Sequence, residues 1–362
     1  MHSHARARIV AVALLVVAMT GGGAALRIAN AAPTVGLEGV PRFDHIVVLT
    51  LENESAATTF GAGSPAQYLN GLRRQGVFVP GYYGTSHVSL PNYIAMVSGQ
   101  LANGLTNTDC AVVSLYTCAQ TMTLFANGRH LGDQLDEAGL TWKGYGDGAP
   151  EPCFHGPYSS DLTSLLTPDP FQGDSQAPPA RDYADRHIPF VYFPNFVGNP
   201  ARCAQHQRPS TELLGDVASD SLPAFSFITP DTCHDGHDNP CSNGSPGGLV
   251  SADLWLSENV PPLLAYLNAH NGLLVINFDE GGLTPPSGIP DINDYLCVTC
   301  ASLGLGGRTG AILLGAGVTP GKVVSATADH YSLLRTIEDS FGIGEHLNLA
   351  AQATPMVAAL TP

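Results

Sequence analysis

The sequence IVVLTLEN spans residues 46–53, and LLVINFDE spans residues 273–280. Each is a short apolar run, typical of a strand buried on both faces of a parallel sheet, and each ends in two polar residues. Ligands of an open parallel sheet bind beyond the carboxyl ends of its strands. If the two strands are neighbours, three carboxylates and one amide meet at that edge. These residues are Glu52, Asn53, Asp279 and Glu280.

Three carboxylates at one edge repel one another strongly unless a cation lies between them. Oxygen ligands suit one divalent metal ion, and Ca, Mg, Mn and Zn all remain open. The alternative is that these acids are helix caps or solvated turn residues. A repetition of the pattern at two strand ends favours a site.

Alternating apolar runs and helical patterns predict the fold class. This alternation favours an α/β fold with a doubly wound, mostly parallel sheet and helices on both faces. Four strands are expected, at 44–51, 224–228, 273–278 and 309–314. Helices are expected at 66–74, 92–97, 131–138, 252–270 and 330–341.

Residues 141–221 are rich in Pro, Gly and Asp and show little periodicity. We interpret them as an irregular insertion within a single domain that spans 32–362. The insertion is either a lid that selects substrates or a surface excursion tied by disulfides. Its aromatic residues either cover an apolar leaving group or pack against the sheet. They include Phe154, Tyr158, Tyr183, Phe190, Tyr192, Phe193 and Phe196.

The first 31 residues have the pattern of a secretory signal peptide. Arg6 and Arg8 precede an apolar run at 9–19, and the sequence ANA at 29–31 offers a cleavage site. This predicts a secreted protein without a stable membrane anchor; a retained anchor is the alternative. The formal net charge of −16 argues against nucleic acid and anionic membranes as partners of the whole surface.

Eight cysteines, all after residue 31, favour disulfides in an exported chain. Close pairs are plausible at 110/118, 233/241 and 297/300, and the connectivity stays open. The CVTC sequence at 297–300 also fits a redox motif, but the strand-turn-helix context of such sites is missing.

The segment SLPN at 89–92 places Pro91 in the first turn of a helix and Ser89 at its cap. A serine there is commonly only a cap. The same place favours a bound phosphate, because backbone N–H groups and the helix dipole attract anions. Contact with a metal would make the Ser89 hydroxyl a nucleophile. His87 and Asn92 would form hydrogen bonds with the phosphoryl oxygens.

The segment DTCHDGHD at 231–238 holds two histidines and three aspartates. By itself it fits a small structural metal site or a solvated loop. His330 opens the final helical pattern, where a histidine is more often a surface residue.

Taken in order, these motifs resemble the bacterial phosphoesterase family of secreted acid phosphatases and phospholipases C, in the alkaline phosphatase-like superfamily. The matching pieces are ENES at 52–55, SLPN at 89–92, HD at 237–238, DEG at 279–281 and HYS at 330–332. The segment YADRHIPF at 183–190 also resembles a family segment.

This resemblance implies a role for each matched residue. Ser89 would be the nucleophile, and the four strand-end residues would be the metal ligands. Phosphate binding or proton transfer would fall to His87, His237 and His330. Substrate binding would involve Asn92 and His187.

The expected function is that of a secreted phosphomonoesterase, acid phosphatase-like, acting through a phosphoserine intermediate with metal assistance. A phospholipase C-type phosphodiesterase is the enzymatic alternative, so the substrate is a small-molecule or lipid phosphate ester. A non-catalytic exported metal-binding protein is the third hypothesis. The oligomeric state stays open.

Overall fold

The computed structural model describes residues 35–111, 118, 128–156, 181–282, 296–302 and 304–361. Within them, a seven-stranded sheet has the strand order β2-β8-β7-β1-β6-β4-β5, and β3 pairs with β9. The strands are β1 His45–Leu51, β2 Val77–Val79, β3 Tyr82–Tyr83, β4 Trp142–Gly146, β5 Gln207–Pro209, β6 Phe225–Thr229, β7 Gly272–Phe278, β8 Ala311–Gly315 and β9 Ala328–Asp329.

The direction of the strands confirms a mostly parallel sheet. Strand β1 lies at its centre, parallel to both β6 and β7, and β4 continues the parallel order to β5. The strand expected at 309–314 is present as β8, but it runs antiparallel to β7. Strand β8 enters the sheet at the edge where β7 ends, so its direction is reversed.

Helices cover both faces of the sheet, as the sequence predicts. Along β1, Val47 and Leu49 face a core that contains Leu256 of the longest helix, whereas Ile46 and Val48 face the opposite core. The helices are α1 Ala56–Phe60, α2 Gln67–Leu72, α3 Ser89–Ser98, α4 Leu131–Glu137, α5 Pro194–Val197, α6 Pro200–His206, α7 Leu213–Ala218, α8 Gly248–Ala269, α9 His330–Phe341 and α10 Val357–Leu360. Shorter 3-10 helices lie at Leu37–Gly39, Thr106–Thr108, Asp185–His187, Pro189–Tyr192, Ser210–Glu212 and Asn348–Gln352. None of the helices in the described part of the chain has the length and apolar character needed to cross a membrane.

The prediction that residues 141–221 form an irregular insertion is wrong for the described part of this segment. It contributes β4 and β5 to the central sheet, together with helices α5, α6 and α7. The strands were missed because β4 carries Lys and two Gly residues, and β5 has only three residues. Its described aromatic residues mostly pack in the core, as the second alternative expected; Tyr158 lies outside the described residues. The buried ones are Tyr183, Phe190, Tyr192, Phe193 and Phe196.

Four disulfides tie the described chain. The three close pairs that the sequence made plausible are present, at 110/118, 233/241 and 297/300. The fourth joins Cys153 to Cys203 within the 141–221 region and ties the segment after β4 to helix α6. The signal peptide expected at 1–31 lies outside the described residues.

Helix α9 buries an acid, Glu338, away from the sheet edge. Its Oε1 accepts a hydrogen bond from the Leu347 amide at 2.9 Å, and its Oε2 has no partner among the described residues. Burial raises the pKa of Glu338 to about 8. A glutamate in the unfolded chain has a pKa of about 4.3. Between these pH values the unfolded state releases a proton that the folded state keeps. The free energy of unfolding therefore falls as pH rises, by about 1.4 kcal/mol per pH unit.

Replacing Glu338 with Gln should remove this pH dependence, because the amide carries no charge in either state. We expect Glu338→Gln to melt near the wild-type temperature at pH 5 and clearly above it at pH 8. Glu258→Gln, on the exposed side of α8, is the matched control and should change neither value. An equal shift of the Glu338→Gln melting temperature at both pH values would contradict the buried, protonated carboxyl.

Candidate active site

The carboxyl ends of β1 and β7 lie side by side and form the centre of the site. Leu51 pairs with Phe278 in the parallel register, so Glu52 and Asp279 follow at the same level. The backbone N–H of Asn53 donates to Asp279 Oδ1 at 3.1 Å and links the two strand ends. The residues that the sequence expected to meet at this edge are therefore neighbours.

Both carboxylates are fully buried. Glu52 Oε1 and Asp279 Oδ2 have no hydrogen-bond partner among the described residues. Burial raises the pKa of Glu52 well above its ordinary value, and the charges of Asp279 and Asp235 raise it further. Burial also raises the pKa of Asp279, with a further rise from Glu280. Buried acids of this kind either take up a proton or pair with a cation. Their orphaned oxygens therefore fit a divalent cation.

Ser89 lies directly beside this pair of acids. Its hydroxyl donates to Glu52 Oε2 at 3.0 Å, and its side chain is almost fully buried. The expected capping role is wrong: Ser89 is the first residue of α3, and Val88 is the cap. The helix start is also less open to an anion than expected, since Asp109 Oδ1 already accepts from the Leu90 N–H at 2.9 Å.

The backbone at Val88 is strained, immediately before Ser89. Its φ of 84° and ψ of 144° lie in a region that β-branched residues rarely adopt. Glu280 holds this conformation, because its two oxygens lie 3.2 and 3.1 Å from the Val88 nitrogen. Glu280 Oε2 is also 2.6 Å from His87 Nδ1. Glu280 thus braces the loop that precedes Ser89. The resemblance implied a metal ligand at this position and not a brace.

Asn92 braces the same loop from the helix side. Its Oδ1 accepts from the backbone N–H groups of Thr85 and Ser86, and its Nδ2 donates to the Ser86 and Val88 carbonyls. The amide is therefore occupied at both ends by the backbone. The position of Asn92 does not support the expected hydrogen bond to a phosphoryl oxygen.

The site histidines differ in what their ring nitrogens contact. His87 Nε2 is buried and has no hydrogen-bond partner among the described residues. His330 is fully buried; its Nε2 lies 2.6 Å from the Asp279 carbonyl and its Nδ1 lies 3.0 Å from Tyr82 Oη. Burial lowers the pKa of His330 to about 4. His330 therefore supports the end of β7 from behind, and its position does not support a direct contact with substrate.

His237 contacts Arg186, a residue to which the sequence analysis gave no role. An Arg186 guanidinium nitrogen lies 3.1 Å from His237 Nε2, and Asp238 Oδ1 lies 2.8 Å from His237 Nδ1. Because Arg only donates, His237 Nε2 must accept and Nδ1 carries the proton. His237 is thus placed to orient Arg186, and no proton on Nε2 remains for transfer.

Arg186 brings positive charge into a site that is otherwise acidic. The residue is buried, and its charge opposes the rise that burial causes in the pKa of Glu52 and of Asp235. Asp235, from the loop after β6, is a second site residue to which the sequence analysis gave no role. Both belong to segments noted for their histidines, but no periodicity marks either one. His187 lies between Glu52 and Asp235, and its partners are described below.

A family model described as "Phosphoesterase family" matches residues 63–344. The chain belongs to the phosphoesterase family. It is therefore a hydrolase that acts on phosphate ester bonds, and the resemblance noted from the motifs is confirmed. The matched region begins after β1, so it includes Ser89, Asp279 and Glu280 but not Glu52.

Two relatives named as phosphatases are similar over most of this chain. A phosphatidylinositol-3-phosphatase of Mycobacterium tuberculosis is 27% identical over 319 residues, which cover 87% of this chain and 83% of that protein. An acid phosphatase of Aspergillus fumigatus is 25% identical over 328 residues, which cover 88% of this chain and 59% of that protein. The chain thus spans about three-fifths of the fungal relative.

Solved structures support the fold. The lipoteichoic acid synthase LtaP from Listeria monocytogenes has a TM-score of 0.54 at 10% identity, covering 88% of this chain and 76% of its own. An alkaline phosphatase superfamily protein from Vibrio parahaemolyticus has a TM-score of 0.50 at 11% identity, covering 83% and 67%. At such low sequence identity, these similar structures support the α/β fold alone.

Replacing Asp279 with Asn should lower metal binding and turnover together, because it removes a negative charge from the buried pair. We expect metal affinity to fall by more than about tenfold. The measurements are metal content after dialysis and hydrolysis of p-nitrophenyl phosphate. Asp44→Asn, at the exposed opposite end of β1, is the matched control and should alter neither. Full metal content and full turnover in Asp279→Asn would exclude a cation at this pair.

Proposed function

We propose that the protein is a secreted, acid phosphatase-like phosphomonoesterase that uses Ser89 as its nucleophile. The observation that carries the proposal is the Ser89 hydroxyl, held 3.0 Å from a buried carboxylate oxygen of Glu52 at the start of a helix. A serine that served only structure would not need two buried acids and a strained loop beside it. Export is supported by four disulfides and by the leader pattern at 1–31.

A divalent cation fits the buried oxygens of Glu52 and Asp279, with Asn53 beside them. When bound, such an ion lowers the pKa of a contacting hydroxyl and neutralises charge on the phosphoryl group. The role of Glu280 as a ligand is weaker, because its oxygens already hold His87 and the Val88 N–H.

In the first step, Ser89 Oγ bonds to phosphorus while the bond to the leaving oxygen breaks. Glu52 Oε2 is placed to accept the hydroxyl proton, since it already accepts the Ser89 hydrogen bond. The product is a phosphoserine and a released alcohol. In the second step, water bonds to phosphorus while the bond from phosphorus to Ser89 Oγ breaks, and inorganic phosphate is freed. Ser89 Oγ takes back the proton held by Glu52, and the proton that the water loses restores the one that the leaving alcohol took up.

His87 is the best placed proton donor to the leaving alcohol. Glu280 fixes its Nδ1 at 2.6 Å, which leaves Nε2 to carry the transferred proton. His237 and His330 have both ring nitrogens in use within the protein. A carboxylate that orients a histidine on one nitrogen and leaves the other for proton transfer is a recurrent catalytic arrangement.

Arg186 offers the positive charge that a phosphoryl dianion needs in an acidic pocket. Arginine matches phosphate oxygens with paired N–H donors, and His237 and Asp238 fix its orientation.

The substrates that we propose are phosphate monoesters. The relatives described above are named as phosphatases, one of them for a phosphorylated inositol lipid. These names favour a phosphomonoesterase over the phospholipase C-type alternative, and the enzyme family excludes the non-catalytic hypothesis.

Ser89→Ala should lose turnover on p-nitrophenyl phosphate by on the order of 10³-fold or more, because it removes the nucleophile. Stability should fall by about 1–3 kcal/mol, since Glu52 Oε2 loses its donor. Ser98→Ala, a buried serine at the far end of the same helix, should keep turnover. Near-normal turnover in Ser89→Ala would reject this nucleophile. A wild-type preference for bis(p-nitrophenyl) phosphate would instead favour the diesterase.

His87→Asn should slow the hydrolysis of phosphate esters to a degree that depends on their leaving group. A nitrophenolate departs without a proton, whereas an alkoxide from glycerol phosphate needs one. We expect kcat/KM to fall by about 10²–10⁴-fold on glycerol phosphate and much less on p-nitrophenyl phosphate. His234→Gln, a partly exposed histidine paired with Asp231, is the control and should affect neither ester. Equal losses on both esters in His87→Asn would show that His87 does not donate the proton.

A further inference from the structure

His187 occupies a closed position between two carboxylates. It ends the short 3-10 helix Asp185–His187, and its side chain is almost fully buried. Its Nε2 lies 3.1 Å from Glu52 Oε1, and its Nδ1 lies 3.1 Å from Asp235 Oδ2. Both carboxylates are themselves fully buried, so solvent does not separate the three groups.

These short distances are not hydrogen bonds. His187 Nε2, Glu52 Oε1 and Asp235 Oδ2 all lack an aligned partner among the described residues. A buried ring nitrogen beside a buried carboxylate oxygen, close but out of line, leaves both groups unsatisfied. Such a pair calls for something that satisfies both atoms at once.

A shared cation explains the separation of the two atoms. Two ligand atoms of one ion, each about 2.1 Å from it, lie about 3 Å apart in octahedral geometry and about 3.4 Å apart in the tetrahedral geometry that Zn²⁺ prefers. Each then points at the ion and not at the other, so the pair is short without being aligned. The 3.1 Å between His187 Nε2 and Glu52 Oε1 has this character.

Asp235 lies on the other side of the ring, with Oδ2 at 3.1 Å from Nδ1 but not aligned as an acceptor. A histidine that binds a metal through one nitrogen usually donates its second N–H to a carboxylate, and a small rotation of the ring would give Asp235 that role. Tyr93 stacks on the ring at 5.1 Å between centroids with an angle of 13°. Because Tyr93 belongs to α3, the helix that begins with Ser89 also fixes the plane of this imidazole.

We propose that His187 binds, through Nε2, the same divalent cation as Glu52, with Asp235 as the carboxylate that orients it. The proposal rests on the metal-dependent function proposed above. It replaces the substrate-binding role expected for His187 with a ligand role. It also narrows the ion: an imidazole in the ligand set favours a first-row transition ion such as Zn²⁺ over Ca²⁺ or Mg²⁺, which prefer oxygen.

Binding of Zn²⁺ and of Ca²⁺ to the metal-stripped protein tests this selectivity by calorimetry. Wild type should bind Zn²⁺ far more tightly, and His187→Gln should weaken Zn²⁺ by on the order of 100-fold while changing Ca²⁺ little. Asp235→Asn should weaken Zn²⁺ by about 10–100-fold. His87→Gln and His237→Gln, the two neighbouring site histidines, are the controls and should keep Zn²⁺ affinity.

Pulsed electron paramagnetic resonance of the protein loaded with Mn²⁺ gives a test that the wild type alone can fail, whether or not the variants fold. A nitrogen ligand produces a modulation from the directly bound imidazole, which should persist in His87→Gln and vanish in His187→Gln. A wild-type complex without this modulation, or a protein that takes up neither Zn²⁺ nor Mn²⁺, would overturn the assignment. Turnover of p-nitrophenyl phosphate by the same sample keeps the outcomes apart. An active enzyme without nitrogen modulation would reject His187 as a ligand and leave the phosphatase function standing.

Discussion

The repulsion between two buried carboxylates is the constraint on which the site depends. The parallel register of β1 and β7 places Glu52 and Asp279 next to each other, without exposed surface. Two residues earlier on both strands, the Thr50 hydroxyl donates to Asn277 Oδ1 at 3.1 Å and holds that register from inside the sheet. Around the acids lie the Ser89 hydroxyl, the Asn53 N–H and the Arg186 guanidinium, and each lowers the cost of negative charge. The cation proposed above would offset the remaining repulsion between the two carboxylates.

The same constraint explains the strained loop before the nucleophile. Ser89 contacts Glu52 directly after a sharp turn at Val88, whose backbone conformation costs about 1–3 kcal/mol. The loop is held by polar side chains on both sides, Glu280 from the end of β7 and Asn92 from the helix. Two residues of the recognisable motifs therefore act as braces, which places the strain beside the reactive hydroxyl. Local strain that is over-determined by its surroundings is typical of catalytic sites.

The sequence predicted the groups at the site better than their individual roles. Apolar runs that end in acids reveal Glu52 and Asp279, because a buried parallel strand is legible from composition. A histidine, in contrast, looks the same in the sequence whether it faces a ligand or a carbonyl. His330 faces the Asp279 carbonyl, and only the packing of α9 against the strand end decides this. Arg186 is similar: its charge was visible, but its approach to the acids depends on how residues 181–206 fold across the site.

The sequence by itself determined the α/β class, the strand ends that carry acids, the serine motif and the family, because each depends on neighbouring residues along the chain. The tertiary structure alone decided that β8 is antiparallel, that residues 141–221 supply two strands of the sheet, and which groups the ring nitrogens of each site histidine contact. These properties depend on contacts between residues far apart in the chain, such as His187 with Glu52. Local patterns carry no information about such partners, since burial and hydrogen bonding are settled only when the layers pack together.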